Sequence, residues 1–134
     1  MKLSSKTITA IKMFIDLGEH YEDGFISLVD IAKRKDLSKK FLEQIVPLYK
    51  NNSLILGTRG NQGGYKLAKS PREISLKDII YISENGFLKD NVNFGPIDNI
   101  VNGLDNLVDD YLGNIPLSKL VEDTKESYSN NYCI

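Results

Sequence analysis

The stretch that most restricts the fold is "LILGTRGNQGGYKL", residues 54–67. Two short strand candidates, Leu54-Ile55-Leu56 and Tyr65-Lys66-Leu67, bracket a loop bearing Arg59, Gly60, Gly63 and Gly64. The segments are too short for helices and fit a small hairpin. A dinucleotide fingerprint needs G-x-G-x-x-G between a strand and a helix, whereas "GNQGG" has another spacing and runs into a strand. A triphosphate loop needs Gly-Lys-Ser/Thr, which the chain lacks here. A plain structural hairpin and a nucleic-acid probe remain.

What precedes the hairpin separates these two. Ser4 is placed to cap a first helix, with Leu3 and Ile8 spaced as a hydrophobic staple. Ile8, Ile11, Phe14, Ile15 and Leu17 then recur at helical spacing, and "EDGF" ends the run, leaving Phe25-Ile26 for a scrap of strand. "SLVDIAKRKD" opens a short second helix, capped by Ser27 with Asp30 three residues on, with Leu28, Ile31 and Ala32 inward. "LSKKFLEQIVPLYKNN" gives a third, capped by Ser38, which bends at Pro47 without stopping. Phe41, Leu42, Ile45, Val46, Leu48 and Tyr49 gather in an arc of ~160°. Lys39, Lys40, Glu43, Gln44, Pro47 and Lys50 fill the opposite side.

Three helices, a strand, a glycine loop and a strand follow the plan of a winged helix-turn-helix, whose third helix enters the major groove of DNA. On that reading Lys39 and Lys40 meet phosphates at the positive end of a helix. Glu43 suits cytosine N4 and Gln44 suits adenine N6/N7. Arg59 suits the narrow minor groove of A·T-rich DNA. Gly60, Gly63 and Gly64 permit positive φ and close approach to another surface, and Tyr65 packs under the wing with its hydroxyl available to a phosphate. The bland counterpart is a solvated face held by a Lys39–Glu43 i,i+4 pair, worth a few tenths of a kcal/mol.

Beyond the hairpin, Ser75 and Asp78 repeat the cap pattern for a helix "LKDIIYIS", and residues 84–95 are turn-rich. "PIDNIVNGLDNLVDDYLG" is the longest amphipathic stretch, with Pro96 fit for the first helical position and Gly113 for the position past the end. Ile97, Ile100, Val101, Leu104, Leu107, Val108, Tyr111 and Leu112 share an arc of ~140°, with every acid of the stretch outside it. That stripe suits dimerisation, a different protein partner, or burial in its own domain. "PLSKLVEDTKE" makes a last short helix, and "SYSNNYCI" reads as a loose tail.

The charge distribution agrees with a polyanion partner. The chain's net charge of −1 conceals 13 Lys/Arg against 7 Asp/Glu in residues 1–72, and 4 against 11 in residues 73–134. A basic front half attracts nucleic acid and an acidic rear half stays away from it. No apolar run reaches membrane-spanning length and no signal-peptide core appears, so the expected location is the cytoplasm. Cys133, the one cysteine, precludes an intrachain disulfide and suits a passive thiol better than a sensor. His20, the one histidine, stands among Glu19, Glu22 and Asp23 without metal or triad spacing and reads as a helix-end residue. No general base, nucleophile or cofactor loop is assembled, which argues against an enzyme.

With "MKLSSKTITAIKMFIDLG" in front, residues 26–80, and "FLEQI…L…RGNQGGYKLAK" within them, resemble the Rrf-two family of bacterial winged helix-turn-helix transcriptional regulators. The resemblance covers residues 1–82 by motif and the rest by architecture. It implies a mostly α fold with a small β wing and a long C-terminal dimerisation helix, here 96–112. The expected division is a DNA-binding domain at 1–82, a loop at 83–95, the dimerisation and C-terminal helices at 96–126 and a flexible tail at 127–134. The resemblance further implies homodimers on imperfect promoter palindromes, with Lys40, Glu43 and Gln44 at the major groove and Arg59 with Gly60 at the minor.

Departures from the family narrow this. Its cluster-binding members carry three cysteines before the long helix, and residues 84–96 hold none, so neither cluster nor metal is expected. Ser53 stands where a helix-ending glycine is frequent, and Thr7 to Thr9 replace a basic-aromatic start. The resemblance is then to the cluster-free branch governing cysteine metabolism. Such regulators are associated with a cysteine-synthase partner that accepts peptides ending in isoleucine; "NYCI" ends on Ile134, and carboxylate capture by backbone amides is an established mode.

Overall fold

Four serines begin four of the helices. In the computed structural model, which describes residues 2–60, 63–84 and 95–132, α1 spans Ser5–Glu19, α2 Leu28–Lys35, α3 Lys39–Asn51, and α4 Leu76–Glu84. Ser4, Ser27 and Ser38 each accept the amide three residues on, at 3.2 Å, through the side-chain oxygen. Ser75 and Asp78 complete a reciprocal box: Asp78 N–H donates to Ser75 Oγ at 3.2 Å and Ser75 N–H to Asp78 Oδ2 at 3.1 Å. α3 continues through Pro47, because the apolar row on its inner side remains packed beyond the lost amide bond.

The hairpin forms where the sequence places it, one residue later at its start. Strand β1, Ile55–Gly57, pairs antiparallel with β2, Tyr65–Leu67, in the register Ile55↔Leu67, Leu56↔Lys66, Gly57↔Tyr65. Ile26 adds a third, one-residue rung: its amide donates to the Tyr65 carbonyl and its carbonyl accepts from the Tyr65 amide, both at 2.8 Å. The core lies beneath, built by Met13, Phe14, Leu17, Ile31, Leu42, Ile45, Tyr49, Ile55, Leu67, Ile74, Ile79 and Leu117.

Three details differ from the pattern reading. The buried residues of α1 are Thr7, Ala10, Met13, Phe14, Asp16 and Leu17; Ile11 and Ile15 are half-buried and Ile8 is 41% exposed. The centre of burial shifts because α1 packs against α2, α4 and α6 together. The long helix α5 covers Pro96–Gly113, so Gly113 is its last residue and Asn114 is the cap, with Nδ2 donating to the Asp110 carbonyl at 2.8 Å. Helix α6 runs Leu117–Tyr132, through residues 127–132 that the sequence leaves as a tail. Once Leu117 and Val121 are buried, extending a formed helix costs far less than nucleating one.

The C-terminal arm returns onto the head. Leu76 N–H donates to the Ile115 carbonyl at 2.9 Å and Leu117 N–H to the Ile74 carbonyl at 2.7 Å, which carries α6 across α1. None of the residues of α5 is buried.

Candidate nucleic-acid interface

α3 is fixed from behind. Leu42, Ile45, Val46 and Tyr49 are buried, the Tyr49 ring meets Phe14 edge-on at 4.8 Å, and its hydroxyl donates to the Ile79 carbonyl at 2.8 Å. Burial pushes the Tyr49 phenol up to about 12, so it stays a donor. At the N-terminal side, Asp36 takes the left-handed conformation (φ 54°) between α2 and α3, and Leu37 N–H donates to the Ala32 carbonyl at 2.9 Å.

Ser53 makes the other end. It sits at φ 62°, its amide donates to the Lys50 carbonyl at 3.1 Å, and Leu54 N–H reaches the Tyr49 carbonyl at 3.0 Å. This is a Schellman motif with serine at the glycine position. The departure noted in the sequence thus leaves the cap geometry intact.

What α3 presents outward is Lys39, Lys40, Glu43, Gln44, Pro47 and Lys50, all exposed. Lys39 Nζ lies 3.7 Å from Glu43 Oε1, both side chains more than half exposed, a weak pair that leaves each group accessible. Lys40 and Gln44 have no side-chain hydrogen bond or ion pair among the described residues.

The wing sets Arg59 and Gly60 at an exposed tip, with Gly60 at φ 115°. Gly63 and Gly64, expected to permit close approach to another surface, lie tightly against the chain's own backbone. A Cβ on Gly63 would stand 2.7 Å from the Thr58 carbonyl oxygen, and one on Gly64 2.4 Å from that of Ile26. Their missing side chains let the wing close on itself and on the Ile26 rung. Tyr65 is half-buried under the wing, as expected, against Gly57 and with Lys50 Nζ 6.0 Å from its ring centroid.

Several supporting groups escape sequence reading. Arg34 clasps Asp16 bidentately at 2.8 and 2.9 Å, and Lys35 bonds Glu19 at 2.5 Å, tying α2 to α1. Asp16 is buried, and its hydrogen bond raises the Arg34 pKa. An acid between Met13 and Leu17 on an apolar helix face was the available signal that a cation must come to it. Glu84 Oε1 accepts from Ser4 N–H at 2.9 Å, Ser4 Oγ at 2.9 Å and the buried Thr7 hydroxyl at 2.5 Å, so the end of α4 caps the start of α1. The Thr7 hydrogen bond foremost, then the Ser4 amide, holds this carboxyl below the usual range. His20 caps α1, and its Nδ1 lies 2.8 Å from Asp23.

The apolar row of α5 is the second candidate surface. Ile100 is 73%, Leu107 69% and Tyr111 70% exposed; Ile97 and Leu104 are also exposed, and Val101 and Val108 half-buried. Cys133 and Ile134, on which the thiol and tail-docking expectations fall, lie outside the described residues, as do residues 85–94. Among the described residues no helix is long and apolar enough to cross a membrane.

A capped three-helix unit, a two-stranded wing and an outward polar edge on the third helix define a winged helix-turn-helix fold. A family model described as "Iron-dependent Transcriptional regulator" matches residues 3–123, and the chain belongs to this family, Rrf2. It is 36% identical over 80 residues to the HTH-type transcriptional regulator IscR of Pectobacterium carotovorum, 60% of this chain and 49% of that one. The chain thus spans about half the length of the curated relatives it matches. Its fold superposes on IscR of T. potens with a TM-score of 0.79 at 31% identity, covering 95% of this chain and 90% of that one. With CymR, the global cysteine regulator of B. subtilis, the TM-score is 0.80 at 29% identity, over 91% and 97% of the two chains. These relatives are regulators, not enzymes.

Proposed function

We propose that this protein is a sequence-specific DNA-binding transcriptional regulator, a homodimeric repressor of a palindromic promoter site, working without an iron–sulfur cluster. The observation that carries the reading is the division of α3: its apolar row is buried while Lys39, Lys40, Glu43 and Gln44 stand exposed beside a wing tipped by Arg59 and Gly60. Lys39 and Lys40 hold phosphates, Glu43 and Gln44 read base edges, and Arg59 enters the minor groove. The two-fold partner covers Ile97, Ile100, Val101, Leu104, Leu107, Val108 and Tyr111 of α5. The cluster-free reading rests on the absence of cysteine from residues 84–96.

The likeness to a cysteine regulator supports sulfur metabolism as the governed process. On the family resemblance alone, we further propose a cysteine-synthase-type enzyme as a partner at Ile134; equal recovery of that enzyme with and without Ile134 would remove the partner.

Selection of genomic fragments at physiological salt tests the reading. Binding should weaken steeply with salt as counterions are released. Lys40→Ala should lower affinity about tenfold on all sequences, whereas Arg59→Ala should also relax an A·T preference beside the half-site. If both variants retain the parent's affinity and preference, the assigned face is wrong. Should no fragment be selected at all, α5 as the surface of a protein-interaction module is the better account.

A further inference from the structure

Between the end of α3, the foot of the wing and α4 lies a groove of about 270 Å³. Asn52, Leu54, Lys69, Lys77, Tyr81 and Ile82 line it, with Asp78 at its edge. Neither lysine has a carboxylate within ion-pair distance among the described residues. The one acid present, Asp78, accepts the Ser75 amide through Oδ2 in the cap of α4 and lies within ion-pair distance of neither lysine. Leu54 is buried, and Lys77 Nζ lies 5.7 Å from the Tyr81 ring centroid. The lining therefore combines two unpaired ammonium groups with an aliphatic and aromatic wall.

We propose that this groove binds a small organic carboxylate, the anion between Lys69 and Lys77 and its hydrocarbon body on Leu54, Ile82 and Tyr81. Such a lining favours charge and apolar surface in one molecule. A bare inorganic anion would leave the hydrocarbon wall uncovered, and a neutral apolar ligand would leave both cations unmatched.

The location gives the ligand a lever. Asn52 and Leu54 flank Ser53, the left-handed residue that ends α3, and Lys69 follows β2 by two positions. One molecule would touch the roots of the recognition helix and of the wing. A ligand that prefers one setting of these two elements shifts DNA affinity by its own difference in affinity between the settings. This coupling rests on the DNA-binding reading above, whereas occupancy of the groove does not.

Amide NMR titration of the full chain without DNA tests occupancy. The probes are phenylpropionate, the matching alcohol phenylpropanol, and inorganic sulfate. Phenylpropionate should give saturable shifts confined to residues 52–54, 69 and 77–82, with both controls at least about tenfold weaker, as the loss of one charge-assisted hydrogen bond implies. Lys69→Met with Lys77→Met, which keeps both stems, should weaken the carboxylate by at least the same factor. Scattered or non-saturating shifts, sulfate binding as well as the carboxylate, or an unaffected double variant would overturn the site. A saturable site that leaves the affinity for a selected operator unchanged overturns the coupling. Loss of operator recognition with the groove still titrating points instead to failure of the DNA-binding reading.

Discussion

α3 and α5 carry the same kind of sequence signal and put it to opposite uses. Each is a helix with one clean apolar arc and one polar arc. α3 buries Leu42, Ile45, Val46 and Tyr49 in its own core and shows lysines to solvent, whereas α5 buries nothing and shows Ile100, Leu107 and Tyr111. Amphipathicity thus announces that a face has to be covered without saying by what. The head finds its cover within the chain, whereas the row on the arm stands uncovered among the described residues.

The largest expected contrast comes from truncating one apolar residue in each helix. Leu42→Ala should cost about 2–5 kcal/mol of folding stability, because a fully buried side chain leaves a cavity. Leu107→Ala should change the unfolding free energy of dilute protein, read from urea titration, by no more than about 0.5 kcal/mol while weakening self-association. Equal losses of folding stability from both would erase the distinction between head and arm.

That contrast also separates what the sequence discloses from what it hides. Serine caps, the inward row of α3 and the wing strands follow from spacing within one element, and all were legible. The bonds of Asp16 to Arg34 and of Glu84 to Ser4 and Thr7 join residues far apart along the chain, and no local periodicity encodes them. Gly64 is an intermediate case. Its lack of a side chain is visible in the sequence, but the Ile26 carbonyl it accommodates is not. The exposed row of α5 was legible as a stripe, and only its exposure needed the structure.

The next effect tests whether the wing is held by the head itself. Gly64→Ala would press a methyl group against the Ile26 carbonyl and should cost about 1–3 kcal/mol. Proton exchange at the Ile26 and Tyr65 amides should accelerate with it, and unchanged exchange would mean the rung is dispensable.

Relief of strain at the end of α3 should be smaller and of opposite sign. Ser53→Gly is expected to stabilise by about 1 kcal/mol, because serine occupies a left-handed position there. A lowered thermal midpoint would contradict that description of the cap.

The smallest effect concerns acid. Since the Glu84 carboxyl is held below its usual range, it contributes stability that is present above its unfolded pKa of about 4.3 and lost as pH falls through the lower folded value. Glu84→Gln should lower stability by a constant amount at neutral and alkaline pH and flatten the acid limb over that interval, so that the two profiles converge below it. An acid limb identical to the parent's would remove Glu84 from the account.

Hydroxyl-radical footprinting of a selected operator joins both helices in one measurement. If α3 reads DNA and α5 is covered by a second copy, the parent should protect two patches related by a two-fold axis, one helical turn of ~34 Å or a multiple apart. Leu107→Glu should abolish both patches together at concentrations where the parent is saturated. A single patch, or protection no stronger than on random DNA, would contradict the account.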